Sequence, residues 1–243
     1  WCMPDTRPRD HLRLSVEQPQ EEEFAIANMT YAAFYHFWIF PQNMEYYLNR
    51  YLLFESCTYS EKYDFCQATE KMMQTALYCQ HKPRFLSKNP PHTARIALLL
   101  KMFPDAKFIY IVRNPYAVIS STRRFFSSTI SALSLQSIPP CELELQILNC
   151  YRAMIERYES DRHLIPPQNL YEMRFEEFSA NPVEGVEAIY ERLKLGDFNT
   201  IADAVAEYAA TQADFRQSHY KNSESSAKLI EKYCSATFKR WNY

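Results

Sequence analysis

Three side chains stand out for the chemistry they could share. Lys88 closes the stretch Arg84–Lys88, Arg113 follows Lys107–Val112 directly, and Ser121 comes eight residues after Arg113. Both stretches read as strands, and in open parallel sheets ligands bind where strands end at their carboxyl termini. Two cations at neighbouring strand ends would point into one crevice. A helix starting at Pro115 adds free N–H groups and a positive dipole end. Arg113 and Ser121 would then offer a planar fork and a hydroxyl to a phosphate, with Ser120, Thr122, Arg123 and Arg124 close by. The same residues also fit a plainer reading: a strand-end cation is often solvated or paired with a surface carboxylate, and helical serines often bond back to their own helix.

These side chains need a framework that brings them together, and the sequence supplies a pattern for one. Asn89-Pro90-Pro91 is a sharp turn after the first strand. A helix runs from His92 to Phe103 and stops at Pro104. Lys107–Val112 is nearly unbroken in β-formers, as for a strand covered on both faces. Strand, helix, strand, helix with short connections is the signature of a parallel α/β sheet. Residues 127–140 are Ser-rich and read as a flexible connection or lid. A helix follows over 141–160, a third strand over 169–174, and helices over 182–195 and 199–211, with Gly196 at a helix C′ position. Residues 212–226 read as loop, and a last helix covers 226–240.

Upstream, residues 1–18 look extended, and helices are expected over 20–40, 42–55 and 60–80. Phe24–Phe40 is barely long enough to span a bilayer, but it carries Asn28, Thr30, His36 and two tyrosines and reads as a buried core helix. Pro19 suits its first turn, Pro41 its end, and Glu21, Glu22 and Glu23 the positive end of its dipole. An acidic first turn of this kind most simply faces solvent. His36 and the stripe Phe34, Phe37, Trp38 read as core.

Composition narrows the function. The chain has 243 residues, 47% hydrophobic and 23% charged, with a formal net charge of −2. That is an ordinary globular composition without a large basic surface, so nucleic acid is not an expected partner. There are 2 glycines, Gly185 and Gly196, where average usage would give roughly 17. No GxxxxGKS/T or GxGxxG loop is present, so any phosphate chemistry must use side chains and helix N-termini, or lie partly outside these residues. The 7 cysteines contain no CxxC pair and no zinc-like spacing, and read as reduced thiols of a cytoplasmic protein. No signal peptide is visible after Trp1.

Residues 86–121, LSKNPPHTARIALLLKMFPDAKFIYIVRNPYAVISS, resemble the core of the PAPS-dependent sulfotransferases, where PAPS is 3′-phosphoadenosine 5′-phosphosulfate. The likeness is to the broad bacterial branch related to the tyrosylprotein sulfotransferases. MRFEEFSANPVEGVEAIYERLKL, 173–195, resembles that family's YEDL…NP segment, and the tail ending FKRWNY resembles its terminus. The resemblance covers roughly residues 10–243. It implies a P-loop-NTPase-like three-layer α/β fold, a parallel sheet flanked by helices with a helix-rich remainder, in one domain over 1–243. The family's PRSGTT-type phosphosulfate loop and the strand before it have no counterpart, which implies an N-terminally incomplete copy.

The resemblance also assigns roles. Arg113 and Ser121 match the positions that hold the nucleotide's 3′-phosphate. Phe175 stands where the family has a Tyr near the adenine, and Lys221 is a further candidate from the late loop. Lys88 matches a strand-end lysine suited to stabilising charge on the bridging oxygen. His92 and, as alternatives, Glu21, Glu22 and Glu23 are candidates for the base that takes the acceptor's proton. The implied reaction moves a sulfuryl group from PAPS to a hydroxyl or amine of an unidentified acceptor, with no metal. Two other readings stay open: a module that binds a nucleotide or protein without turnover, and, less well supported for want of a Walker-type Lys, a nucleotide kinase.

Overall fold

The structure is a computed structural model that describes residues 20–212 and 222–243. Helix α1 spans Glu22–Met29, and a 3-10 turn follows at Phe34–Trp38. A second 3-10 turn, Pro41–Asn43, runs into the short α2 (Met44–Tyr47) and a π-turn at Leu48–Leu52. Then come α3 (Tyr59–Gln80), a 3-10 turn at Pro90–Ala94 and α4 (Ile96–Met102). Strand β1 (Phe108–Val112) is followed by α5 (Pro115–Leu133) and α6 (Pro140–Asp161). Strand β2 (Leu170–Arg174) leads straight into α7 (Phe175–Ala180) and α8 (Pro182–Leu193). Helices α9 (Ala202–Thr211), α10 (Glu224–Tyr233) and α11 (Ser235–Trp241) complete the order. The chain forms two compact units: Trp1–Pro91 with Arg123–Gln146, and His92–Thr122 with Ile147–Tyr243.

In the first unit, α3 begins on a full capping box. The Thr58 hydroxyl accepts the Glu61 N–H, and Glu61 in return accepts the Thr58 N–H at 2.7 Å. The core is aromatic: Trp38 sits 4.5 Å from Phe37 and 4.5 Å from Phe126, ring centre to ring centre. The helix expected over 20–40 is in fact broken. Thr30 is extended (φ −147°, ψ 151°), and its hydroxyl accepts the Ala32 N–H. A buried Glu23 oxygen then accepts the Phe34 N–H at 3.1 Å, providing the partner a new helical start requires. The Ser-rich 127–140 connection is shorter than expected, because α5 continues to Leu133. Phe125, Phe126 and the buried Ile130 tie that stretch into the core, and Ser128 and Ser131 bond back to helix carbonyls.

Arg84–Lys88 is not a strand. No ladder partner exists for it among the described residues, and Leu86 is exposed. What fixes it is polar: Ser87, Lys88 and Asn89 each bond a glutamate of the 21–23 run.

The second unit holds the sheet. β1 and β2 pair in parallel from Phe108↔Leu170 to Val112↔Arg174. Phe108, Tyr110 and Leu170 pack on Ile96 of α4, Tyr158 of α6 and Ile165. On the opposite face, Met173 and Tyr171 pack on Ile189 and Leu193 of α8. Helices thus lie on both faces, but α8 covers only the β2 half of its face. Ile109 and Ile111 of β1 therefore stay 38% and 45% exposed, and the strand is not covered on both sides as its sequence suggests. Helix α8 ends on Lys194 in the left-handed region (φ 52°), so Gly196 is not the C′ cap; it takes φ 127° two residues on. The helix expected over 226–240 is two helices, divided at Cys234.

Candidate functional site

The predicted residues gather in two places, one in each unit. In the first unit, three successive carboxylates meet three successive polar residues. Glu21 accepts from Lys88 and, at 2.5 Å, from the Tyr35 hydroxyl. Glu22 accepts from Ser87, and Glu23 from the Asn89 amide at 3.0 Å. The acidic run is therefore no solvated face: Glu22 and Glu23 are buried, Glu23 wholly so, and their partners offset the cost of desolvation. The Lys88 side chain is 78% exposed and that of Glu21 21%, so this ion pair is the part of the cluster open to solvent. A cleft of about 680 Å³ opens between the end of α1 and α3, lined by Met29, Tyr31 and Tyr63 among others. Met29, Tyr31 and Tyr63 are all exposed.

In the second unit, strand register builds the site. Val112 pairs with Arg174, so the next residues along each strand, Arg113 and Phe175, emerge side by side. The Arg113 guanidinium lies over the Phe175 ring, 4.6 Å from its centroid, leaving a planar cation and an aromatic face together at the strand ends. The Asn114 carbonyl side chain accepts the Tyr116 N–H at 2.9 Å, capping α5 with Pro115 at its first position. Sequence reasoning missed Glu176. One of its oxygens accepts the Asn114 N–H at 3.0 Å and the other the Tyr243 hydroxyl at 2.6 Å. Burial pushes the Glu176 carboxyl up, but these two donors, its own backbone N–H and the nearby Arg174 together outweigh it and hold it below the usual carboxylate range. Burial, with Glu176 as acceptor, pushes the Tyr243 phenol up to about 12. The only sequence signal for this network was position, since Glu176 adjoins Phe175.

Ser120 is buried and donates to Asn222 at 2.8 Å, so of the two adjacent serines it is Ser120 whose hydroxyl is engaged. Ser121 lies one position further around α5, half-buried. His92 is half-buried in the 3-10 turn Pro90–Ala94. Pro19 and Lys221 lie outside the described residues. Among the described residues no cluster of three metal-ligating side chains occurs, and no helix is long and apolar enough to cross a membrane.

The chain is 28% identical over 237 residues to the omega-hydroxy-beta-dihydromenaquinone-9 sulfotransferases Stf3 of Mycobacterium bovis and Mycobacterium tuberculosis. The alignment takes in 98% of this chain and 61% of each relative, so the chain spans about three-fifths of their length. The crystal structure of sulfotransferase STF9 from Mycobacterium avium superposes with a TM-score of 0.71 at 18% identity. That match covers 91% of this chain and 55% of the other, and it shows a shared fold. A family model described as the sulfotransferase family matches residues 4–199, and the chain belongs to that family.

Proposed function

We propose that the protein transfers a sulfuryl group from PAPS to a hydroxyl on an acceptor with an apolar body. The observation that carries this is the Arg113–Phe175 pair beside the capped start of α5. A guanidinium and helix N–H groups suit a phosphate, and an aromatic face suits a purine. With Ser121 and Lys221, these residues would hold the 3′-phosphate and base of the nucleotide. Donor choice rests on this fit and on family membership.

In the reaction, the S–O bond to the bridging oxygen of the donor breaks as the acceptor oxygen bonds to sulfur in line. The acceptor's proton passes to a carboxylate, and charge left on the bridging oxygen is met by a cation. Lys88 is assigned the cation role. Of the candidate bases, Glu21 is favoured over Glu22 and His92, because its carboxylate is accessible and paired with Lys88, while Glu22 is buried under Ser87. The cleft along α1 and α3 has a size that suits a small organic molecule. Its exposed Tyr31, Tyr63 and Met29 give it apolar faces among the polar Asn28, Asp64, Gln67 and Lys71. The name of the Stf3 relatives, which act on a hydroxylated menaquinone, supports an acceptor of that character.

A reading without turnover has one observation in its favour. Gly185 lies within α8 and Gly196 beyond it, so neither supplies a phosphosulfate loop. One experiment separates the two: incubate the protein with sulfur-labelled PAPS and a panel of apolar alcohols and phenols. Labelled product and tighter binding of 3′-phosphoadenosine 5′-phosphate than of 5′-AMP support the enzyme. Binding without product supports the module, and failure to bind the nucleotide overturns the enzyme and leaves the module only as one that binds a protein.

A further inference from the structure

Tyr243 closes a chain of contacts that ends on Asn114 at the start of α5. Its hydroxyl donates to Glu176 Oε2 at 2.6 Å and also reaches the Val112 carbonyl at 3.4 Å. The Arg174 guanidinium lies over its ring, 4.5 Å from the centroid. Glu176 Oε1 accepts the Asn114 N–H, and Asn114 caps α5. One carboxylate therefore ties the residue after Arg113 to the residue after Phe175, and Tyr243 fixes how that carboxylate is turned. The arrangement also solves an electrostatic problem. A carboxylate beside a phosphate grip repels the phosphate and competes with it for the guanidinium. Two donors, one on each oxygen, hold Glu176 in place against Asn114 and Tyr243.

We infer that Tyr243 is a positioning residue that keeps Glu176 turned from Arg113 and so sets the preference for a nucleotide carrying a 3′-phosphate. The inference rests on the nucleotide reading given above. A merely structural role would alter stability, or the binding of all nucleotides alike. A positioning role alters the response to the 3′-phosphate and depends on the charge of Glu176.

The test is calorimetric titration of the protein with 3′-phosphoadenosine 5′-phosphate and with 5′-AMP, for wild type, Tyr243→Phe, and Tyr243→Phe with Glu176→Gln. The single variant keeps the ring under Arg174 and removes only the hydroxyl. It should weaken the 3′-phosphorylated nucleotide about tenfold, as for loss of one hydrogen bond to a charged group, with 5′-AMP within about twofold. Removing the Glu176 charge in the same background should recover most of that loss. Equal weakening of both nucleotides, unchanged affinity for both, or no recovery overturns the inference while leaving the nucleotide reading in place. Wild-type protein that shows no preference for the 3′-phosphorylated nucleotide overturns the nucleotide reading, and this inference with it.

Discussion

The Arg113 guanidinium stacks on the Phe175 ring because the strands that carry them end in register, Val112 beside Arg174. Arg113→Ala should weaken 3′-phosphoadenosine 5′-phosphate by about 10- to 100-fold, the range for a hydrogen bond to a charged group. Arg113→Lys should recover only part of this, since an ammonium neither forks nor stacks as a guanidinium does. Phe175→Leu should cost less, about 2- to 5-fold, the scale of a half-exposed cation–π contact. Equilibrium titration reads all three, and an Arg113→Ala variant of wild-type affinity would remove the phosphate assignment.

Lys88 and Glu21 should act on turnover rather than on nucleotide binding. Lys88→Met should lower kcat by about 100-fold or more, as loss of one transition-state donor does, with nucleotide affinity little changed. Glu21→Gln should lower kcat, with nucleotide affinity little changed. If Glu22→Gln has the larger effect and Glu21→Gln almost none, the base is the buried carboxylate instead.

Glu23 has a structural prediction of its own. Its two oxygens accept the Phe34 N–H and the Asn89 amide in a fully buried setting. Glu23→Ala leaves both donors without that acceptor, and each should cost about 1–3 kcal/mol. Urea unfolding should show a lower midpoint with an unchanged slope. A midpoint equal to wild type would mean that the turn at Phe34–Trp38 holds without its carboxylate.

Glu61 sets an acid limit for the start of α3. Arg50 donates to it through both Nε and a terminal nitrogen, each at 2.8 Å, and holds its carboxyl down at about 2. The folded value lies below the unfolded one, so the stabilisation is complete above the unfolded pKa and disappears as pH falls through about 2. Glu61→Gln should flatten the stability–pH curve between about pH 5 and pH 2, with the two curves converging at the acid end. Denaturant midpoints across that range check it, and parallel curves would show that Arg50 contributes nothing through this pair.

The site was legible where one residue's type and position along its own element carried the information. Arg113 after an apolar strand, Pro115 opening a helix and Phe175 after β2 could all be read locally. Glu176 and Tyr243 could not, because their bond joins residues 67 apart in sequence. The acidic run was misjudged for the same reason: Ser87, Lys88 and Asn89 lie 65 to 67 residues from the glutamates they bind. Arg84–Lys88 reads as a strand but has no ladder partner among the described residues, and a local pattern does not report a missing partner. Helix content was better served, because spacing and caps are local, as Thr58 and Glu61 show at α3. Gly185 is the opposite case. A Cβ there would stand 2.6 Å from the Phe178 ring, a tertiary demand that no helix pattern reveals.

The bare flank of β1 has a consequence for handling the protein. Among the described residues, β1 hydrogen-bonds to β2 on one side only, and Ile109 and Ile111 face outward. A short run of branched and aromatic side chains with one unsatisfied border is a template for another chain of the same sequence. Wherever that border stays uncovered, Ile109→Lys is the least invasive way to blunt it.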